Sequence, residues 1–372
     1  MKVNLIGPIP PPLGGISIHL RRLAGILEQR GISYTIYNES KIDVPLQHVQ
    51  PMKSFKRFML QIPFLTGDLF HFHTIDVRLR IALGCYKLFG KKIILTVHGE
   101  SLAVQLQQSG PMKRKMLLRS LRSIDAIICV NEATTHMLLE LGFHPERVMT
   151  LPAYIHPVER DEDTRAIPAH VYQFMESKDI VVSANGYVRF HQGEDLYGID
   201  LLIEVVHALH QRGVGVKLLF AVMGVAGQSH EERSYYDQLK ERIKSYQLTS
   251  RIQFYEVVDT EFYPILKVSD IFIRPTVTDG YGVTIAEALH YRVPSIASDV
   301  CARPAGTILY ESRSVSDLTM KVLDLIERYS QWKDQLTHCG NQDYADELIA
   351  VYTRVAGKGK PRNIAVTDMH GQ

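Results

Sequence analysis

Two carboxylates, Asp279 and Glu287, stand eight positions apart across a glycine-bearing turn. The apolar residues 271–273 before the turn predict a buried strand, and Val283–His290 after it predicts a helix. The free N–H groups and the dipole at the start of a helix attract anions, so this turn predicts a phosphate site. Glu287 lies more than a turn into the helix, where its carboxylate can accept hydrogen bonds from ribose or sugar hydroxyls beyond the phosphate.

Three arginines, Arg189, Arg274 and Arg303, follow or end predicted strands in the second half of the chain. In parallel sheets, ligands bind outside the carboxyl ends of the strands. Guanidinium groups form charge-assisted hydrogen bonds with phosphate, so the joint placement of these arginines favours a phosphate-binding edge. Gly186 lies in the same turn as Arg189. Each arginine taken alone could equally be a surface or salt-bridge residue.

A pair of glycines, Gly14 and Gly15, follows the first predicted strand and precedes a predicted helix. Glycine lets the backbone come close to a bound group, and Ser17 is predicted to cap the helix. The G-x-G-x-x-G spacing is absent, so this turn does not have a dinucleotide fingerprint. A plain structural turn is the alternative reading.

One histidine, His98, ends a buried strand, where a side chain is predicted to face a cleft. The alternative is a histidine that only hydrogen-bonds the strand end. His71 and His73 stand at another strand end. Both suit a metal ion by residue type, but no third ligand has a suitable spacing, so they are predicted to line the cleft or to pack in the core.

These residues need elements that place them along one cleft. Apolar strands alternate with amphipathic helices along the chain, and the pattern restarts after a polar stretch around residues 157–168. Such alternation predicts parallel sheets flanked by helices. We therefore predict an α/β protein with an N-terminal Rossmann-like domain over residues 1–157 and a C-terminal one over residues 158–338, facing each other across a cleft.

The composition excludes several classes of protein. The chain has 372 residues, which suits two domains, and a net charge of +2, which gives no argument for a nucleic-acid partner. Its four cysteines are scattered without a CxxC pair, so a reduced, cytoplasmic setting is expected. Residues 1–6 predict a strand and not a signal peptide, and no apolar run approaches the roughly 18 residues of a membrane span.

The segment from Asp279 to Glu287 resembles the donor-binding signature of the retaining glycosyltransferases of family four (glycosyl transferases group one). That signature has a glutamate, a turn of the type Gly-Phe-Gly, and a second glutamate followed by alanine. Here Asp279 takes the first position and Tyr281 the aromatic one, while Glu287 and Ala288 match. The resemblance extends to the glycine loop, the strand-end histidine and the last helix, so it spans nearly the whole chain.

The resemblance implies the GT-B fold, in which two Rossmann-like, doubly wound domains face a cleft, with the acceptor on the first and the nucleotide-sugar donor on the second. A last helix within residues 339–358 is expected to return to the first domain, before a mobile tail over residues 359–372. The implied activity moves a sugar from a nucleotide-diphosphate sugar to a glycan or lipid-linked acceptor, with retention of anomeric configuration, in surface polysaccharide assembly. No metal ion and no cofactor are implied.

The resemblance also implies roles for single residues. His98, Asp279 and Arg189 take the catalytic positions, where they contact the sugar near the reacting carbon, orient its hydroxyls and hold the diphosphate. Glu287 is expected to hold the ribose. The other expected donor-binding residues are Gly14, Gly15, Gly186, Arg274, Gly280, Tyr281, Gly282, Val283 and Arg303.

One position departs from the family pattern in a way that weakens the expected phosphate clamp. The family has a lysine where this chain has Tyr197. Arg303 is expected to compensate, because its place after a strand can aim it at the same phosphates.

Two segments, residues 53–60 and 112–122, carry cationic and apolar residues and no acid. Helices of this kind suit anionic lipid surfaces, and a solvated face is the alternative. We expect Lys113, Arg114 and Lys115 to bring the first domain to the inner face of the cell membrane, where a lipid-linked acceptor would lie.

Other functions stay open on the sequence alone. In a non-catalytic GT-B binding or scaffold subunit, Asp279 and Tyr197 would mark a donor site that has lost strength. A nucleotide-sugar epimerase shares the fold but needs acidic residues for elimination, and no such extra pair stands out. Without the rest of the chain, Asp279 and Glu287 could also belong to an ordinary surface helix.

Overall fold

The computed structural model describes residues 1–11, 13–40, 47–338 and 343–357. Each half of the chain forms a parallel sheet with helices against it, so the predicted α/β class is confirmed. The polar stretch between the halves contains one short helix, α7, at Asp161–Arg165. The domain boundaries at residues 157 and 338 stay predictions, and the expected tail over residues 359–372 lies outside the described residues.

The first half has a seven-stranded sheet in the order β3-β2-β1-β4-β5-β6-β7, with parallel pairing throughout. Its central strands are apolar on both faces because helices cover both sides. The strands are β1 Lys2–Gly7, β2 Ser33–Asn38, β3 Val49–Pro51, β4 Leu69–Phe72, β5 Ile93–Val97, β6 Ala126–Cys129 and β7 Val148–Thr150. The helices are α1 Gly15–Gln29, α2 Phe55–Gln61, α3 Val77–Tyr86, α4 Ser101–Gln108, α5 Pro111–Ser123 and α6 Glu132–Glu140.

The second half has a six-stranded parallel sheet in the order β12-β11-β8-β13-β14-β15. Its strands are β8 Ile180–Tyr187, β11 Val216–Met223, β12 Ile252–Val257, β13 Ile271–Arg274, β14 Ser295–Ser298 and β15 Ile308–Tyr310, and β9 Phe190–His191 and β10 Glu194–Asp195 form a small hairpin. The helices are α8 Ala169–Met175, α9 Ile199–Gln211, α10 His230–Ser245, α11 Tyr263–Leu266, α12 Val283–His290, α13 Val315–Glu327 and α14 Tyr329–His338.

The strand order reverses between β1 and β4 in the first sheet and between β8 and β13 in the second. Loops that leave such neighbouring strands in opposite directions open a crevice at the carboxyl edge of the sheet. The glycine loop follows β1, and Arg274 ends β13. The glycine loop and Arg274 therefore lie at the two switch points, while His98 follows β5 and Arg303 follows β14.

The last described helix, α15 at Ala345–Ala356, packs in the first half of the molecule. Leu348, Val351 and Tyr352 belong to the same hydrophobic cluster as Val3 and Leu5 of β1. A helix late in the sequence thus completes the core of the first sheet. Residues 339–342 and 358 of the expected segment lie outside the described residues.

One local prediction is wrong. Ser17 does not cap the first helix, because α1 begins at Gly15 and its N-cap is Gly14. Ser17 Oγ instead donates a hydrogen bond to the Gly14 carbonyl from inside the first turn, at 3.1 Å. Among the described residues, no helix is long and apolar enough to cross a membrane.

Candidate functional site

A cavity of about 290 Å³ lies between the two halves, at the carboxyl ends of strands from both sheets. Such crevices are the ordinary ligand sites of parallel α/β sheets. The structure brings ten of the predicted site residues to its wall: Gly14, Gly15, His98, Arg274, Asp279, Gly280, Tyr281, Gly282, Val283 and Glu287.

The start of α12 is open toward this cavity. Its N-cap, Gly282, has a φ of 82°, a left-handed conformation that glycine adopts without strain. No side chain caps the helix, and Val283 and Thr284 of its first turn line the cavity. The backbone N–H groups of this turn and the helix dipole therefore form an anion site.

The start of α1 faces the same cavity from the other half. Gly14 is its N-cap and no side chain caps it, while Gly14, Gly15 and Ile16 line the wall. Two open helix starts therefore meet one cavity. A ligand with two adjacent negative groups, such as a diphosphate, suits this arrangement better than a single anion does.

The start of α9 near the same edge is already occupied by a carboxylate of the chain. The side chain of Asp195 accepts hydrogen bonds from the backbone N–H groups of Tyr197, Gly198, Ile199 and Asp200, at 3.0 to 3.3 Å. The Tyr235 hydroxyl adds a further donor at 3.2 Å. Asp195 thus occupies the anion site of α9, whereas no described side chain caps the start of α12.

Asp279 is held between two of the predicted phosphate-binding arginines. Its carboxylate lies 3.0 Å from Arg274 Nε and 2.7 Å from Arg303 Nη1. Burial alone would raise the pKa of Asp279, but Arg274 and then Arg303 outweigh burial and hold that pKa well below its usual range. The acid therefore stays ionised and neutralises part of the positive charge that a diphosphate would use.

The side chain of Arg303 is almost completely buried, with 1% of it exposed, and does not line the cavity. It also donates to the Ser298 carbonyl at 3.1 Å and to Ser298 Oγ at 3.0 Å. Its guanidinium therefore orients Asp279 and stabilises the turn after β14 through these hydrogen bonds. The expected direct contact between Arg303 and phosphate stays a prediction.

Tyr197, which stands in place of the family lysine, supports Arg274. The Arg274 guanidinium lies over the Tyr197 ring, 5.2 Å from its centroid. The same ring packs so close to Gly186 that any Cβ at position 186 would collide with it. Gly186 itself does not line the cavity, and its role is to leave room for the tyrosine ring.

Glu287 is buried beside a cation from the other half of the molecule. Its Oε1 atom accepts a hydrogen bond from Arg22 Nη2 of α1 at 2.8 Å. Arg22 also donates to Glu261 at 2.9 Å and to the Ile155 carbonyl at 3.1 Å, and Arg21 donates to Glu261 at 2.7 Å. Burial raises the pKa of Glu287 above its usual value, and the nearby carboxylate of Glu261 acts in the same direction, while Arg22 opposes both.

His98 lies beside a contact between the two halves of the molecule. Its neighbour Gly99 approaches Gly280 so closely that a Cβ on Gly280 would lie 3.6 Å from the Gly99 Cα. His98 Nε2 lies 3.0 Å from His73 Nδ1, and the ring of His19 packs edge-on against His98 with 5.9 Å between centroids. Burial, His19 and Arg80 lower the pKa of His98 well below its usual value, so the ring is neutral.

Arg189 is the predicted catalytic residue that the structure places away from the cavity. Its side chain is 59% exposed, its Nε atom lies 3.7 Å from Glu232, and its guanidinium stacks on Tyr187. Arg189 is not part of the cavity wall. Its assignment to the diphosphate therefore stays a prediction without a supporting contact.

Sequence reasoning missed Arg22, Glu261 and Tyr187. All three line the cavity, and the Tyr187 hydroxyl donates to the Leu13 carbonyl of the glycine loop. The available signal for Arg22 was its position three residues after His19 on the same helix, which places two polar side chains on one face. Their partners lie more than a hundred residues away in the sequence, so local patterns do not reveal them.

Metal binding receives no support from the described part of the chain, where no group of three or more His, Cys, Asp or Glu side chains is arranged to hold an ion. His71 and His73 are both fully buried. They pack in the core behind His98, which is one of the two roles that the sequence predicted for them.

Two family models match the chain. The model described as Glycosyl transferases group 1 matches residues 187–328, and the model described as Glycosyltransferase Family 4 matches residues 13–157. Together they cover more than half of the sequence. Mannosylfructose-phosphate synthase from Agrobacterium fabrum is 31% identical over 102 residues, which make up 27% of this chain and 22% of that protein. The matched segment thus spans less than a quarter of that relative.

Solved structures share the architecture at low identity. HepE from Anabaena in complex with UDP superposes with a TM-score of 0.66 at 13% identity, covering 96% of this chain and 99% of that one. Sucrose-phosphate synthase from Thermosynechococcus elongatus has a TM-score of 0.66 at 14% identity, covering 96% of this chain and 100% of that one. At such identities the similarity shows the fold, and it extends over both halves.

Proposed function

This chain belongs to the group 1 glycosyltransferases of family 4 and has the GT-B fold, and from that premise we propose that it is a retaining glycosyltransferase. It would move a sugar from a nucleotide-diphosphate sugar to a glycan or lipid-linked acceptor. The setting we propose is surface polysaccharide assembly on the cytoplasmic side of a cell membrane.

The observation that carries this proposal is the open start of α12 beside a buried carboxylate on the same helix. The first turn of α12 offers uncapped N–H groups to the cavity, and Glu287 lies one turn further on. A nucleoside diphosphate has an anionic group and, beyond it, a ribose with two hydroxyls. The helix start would bind the anion and Glu287 would accept the ribose hydroxyls.

The same geometry supplies what transfer requires at the leaving group. When the bond between the sugar and the diphosphate breaks, negative charge develops on the departing phosphate. Preformed donors aimed at that charge stabilise the transition state more than the ground state. The donors in place are the first turns of α1 and α12 together with Arg274, which lines the cavity.

We propose UDP as the nucleotide of the donor. The Anabaena HepE structure, which shares this fold, contains UDP. The proposal is tested by calorimetric titration of the protein with UDP, GDP and dTDP. We expect one of the three, UDP, to bind with saturable heat, and the corresponding UDP-sugar to be hydrolysed slowly without an acceptor. If GDP or dTDP bound more tightly than UDP, UDP would be rejected as the donor nucleotide, but the proposal that the protein is an enzyme would stand.

A non-catalytic subunit is the second candidate, because Asp279 neutralises Arg274 and because Tyr197 replaces the family lysine. Both features reduce the net positive charge available to a diphosphate. A scaffold should bind none of the three nucleotides in the same titration and should hydrolyse no nucleotide sugar. That outcome would overturn the enzyme proposal.

We also propose that the first half docks on an anionic membrane surface through α5. Residues Met112 to Met116 of this helix are all exposed, with Met112 74% and Met116 50% exposed, and between them lie Lys113, Arg114 and Lys115. Cations beside exposed apolar side chains suit a lipid headgroup layer. A lipid-linked acceptor would then be presented to the cleft from that surface.

Vesicle sedimentation tests this surface. Replacing Lys113, Arg114 and Lys115 by Gln should abolish binding to anionic vesicles at physiological ionic strength and leave nucleotide binding unchanged. The matched control replaces Lys178, Arg212 and Arg233, which are also exposed cations but lie in the second half. Retained binding in the first variant, or equal loss in the control, would show that α5 is not the docking surface.

A further inference from the structure

Three histidine rings and a tyrosine form a continuous row of contacts behind the cleft wall. His98 Nε2 lies 3.0 Å from His73 Nδ1, and His73 Nε2 lies 3.2 Å from His71 Nδ1. His71 Nδ1 lies 2.6 Å from the Tyr352 hydroxyl, and its Nε2 lies 2.7 Å from Thr96 Oγ1. The row therefore runs from a residue that lines the cavity to α15, the last described helix.

All three rings are neutral. Burial lowers the pKa of His71, His73 and His98 well below the usual value, and the neighbouring histidines lower it further for each of them. Arg80 acts in the same direction on His98. A neutral imidazole has one protonated and one bare nitrogen, so each contact in the row constrains the next.

The tyrosine at the end of the row determines which atom donates and which accepts in each hydrogen bond. Burial raises the pKa of Tyr352 well above its usual value, so the phenol keeps its proton. Among the described residues, His71 Nδ1 is the hydrogen-bond partner of this fully buried hydroxyl. A buried donor without an acceptor is costly, so Tyr352 donates and His71 Nδ1 is bare. His71 then carries its proton on Nε2 and donates to Thr96 Oγ1.

The ring protons of His73 and His98 can be assigned once that of His71 is known. Two bare nitrogens at 3.2 Å would repel each other, so His73 Nε2 must carry a proton, which points at His71 Nδ1 and shares its single lone pair with the shorter hydrogen bond from Tyr352. His73 Nδ1 is then bare and accepts a hydrogen bond from His98 Nε2. His98 is left with Nδ1 as its bare nitrogen, and no described residue makes a hydrogen bond to that atom.

We propose that His73, His71 and Tyr352 are positioning residues that hold His98 as its Nε2–H tautomer, so that His98 meets a ligand in the cleft only as a hydrogen-bond acceptor. A sugar hydroxyl is the group that would donate to it, and this part rests on the proposed function. The assignment of the tautomer does not rest on the proposed function. The row also gives α15 a role beyond packing, because its Tyr352 sets the protonation of a residue at the cavity wall.

The tautomer can be measured directly. Long-range ¹H–¹⁵N NMR of the protein labelled with ¹⁵N-histidine distinguishes bare from protonated ring nitrogens, and the signals of His98 are those that vanish in His98→Asn. At pH 7 without ligand, we expect a bare Nδ1 and a protonated Nε2 on His98. A protonated Nδ1, or a doubly protonated ring, overturns the proposal. The measurement needs no substrate, so a protein that binds no nucleotide can still confirm the row while the proposed function fails.

Two variants at one position separate positioning from packing. His73→Leu removes the acceptor, and we expect His98 to become a mixture of both tautomers. His73→Asn keeps an oxygen near the place of Nδ1, and we expect the single tautomer to return. A spectrum of His98 that is the same in His73→Leu as in the unaltered protein would contradict the proposal.

Tyr352→Phe provides the test if His73→Leu does not fold. It removes one hydroxyl from the far end of the row and keeps the ring. We expect the His71 ring to become a mixture of its two tautomers in this variant. Unchanged His71 signals would show that the tyrosine does not set the direction of the row.

Discussion

Arg22 Nη2 lies 2.8 Å from Glu287 Oε1, and this ion pair joins the first helix of one half of the molecule to the helix that opens the anion site in the other. Each side chain has only 4% of its surface exposed. The carboxylate proposed to hold the ribose thus also holds the two halves together. If Glu287 holds the donor as proposed, we expect donor binding and the contact between the two halves to be coupled through this carboxylate.

Glu287→Gln should weaken UDP binding by roughly 10- to 100-fold, because a hydrogen bond to a charged acceptor contributes about 1.5–3 kcal/mol. Calorimetric titration measures the change. Glu261→Gln is the matched control, since it removes a carboxylate from the same Arg22, 2.9 Å away, and leaves Glu287 in place. We expect a smaller loss there. Equal losses in the two variants would mean that closure alone, and not a ribose contact, explains the effect.

Asp279→Asn should lower the free energy of unfolding at pH 7 by about 3–5 kcal/mol, because it leaves Arg274 and Arg303 buried without their carboxylate. The pKa of Asp279 is lower in the folded than in the unfolded protein. Its stabilisation is therefore complete above the unfolded pKa of about 3.9 and is lost as the pH falls further, through the folded value.

Urea unfolding at a series of pH values tests this prediction. The difference between the unaltered protein and Asp279→Asn should be constant from neutral pH to about pH 5 and should shrink below about pH 4. Asp237→Asn, which removes an exposed carboxylate 3.8 Å from Lys240, should change little at any pH. If the difference in the free energy of unfolding instead grew as the pH fell, the result would contradict the prediction.

Gly186→Ala should destabilise the fold by about 1–3 kcal/mol and weaken UDP binding, because the added methyl group collides with the Tyr197 ring that supports Arg274. Chemical unfolding and calorimetry measure the two effects. Gly110→Ala is the matched control, since a Cβ there meets no atom within 4 Å. Unchanged UDP affinity in Gly186→Ala would show that Tyr197 does not position Arg274 for the ligand.

Arg274→Gln should cost more UDP affinity than Arg189→Gln. Arg274 lines the cavity, so we expect a loss of roughly 10- to 100-fold from a charge-assisted contact. Arg189 is 59% exposed and lies outside the wall, so its loss should be about fivefold or less, as for exposed ion pairs. The reverse order would support the family arrangement in which Arg189 holds the diphosphate.

Much of the second half could be predicted from local sequence patterns. Residues 271–274 and 283–290 form the predicted strand and helix, because short apolar runs bounded by Pro275 and Gly280 leave few alternatives. The helices α4, α7, α8 and α14 were not predicted. Three of them are only five to eight residues long, and their stability comes from tertiary contacts more than from periodicity.

The contacts of the site residues could not be predicted in the same way. The sequence places Asp279, Arg274 and Arg303 near one edge, but nothing local shows that the acid lies between both cations. The pairing of Arg22 with Glu287 joins residues 265 positions apart. Which of two helix starts is closed by Asp195 and which is open also depends on side-chain packing after the fold has formed.

A crystal structure of the protein with UDP tests the central claim most directly. The account predicts the diphosphate at the start of α12, with phosphate oxygens about 2.7–3.2 Å from the backbone nitrogens of Val283 or Thr284, and the ribose hydroxyls on Glu287. A diphosphate bound elsewhere, with Glu287 still paired only to Arg22, would contradict it.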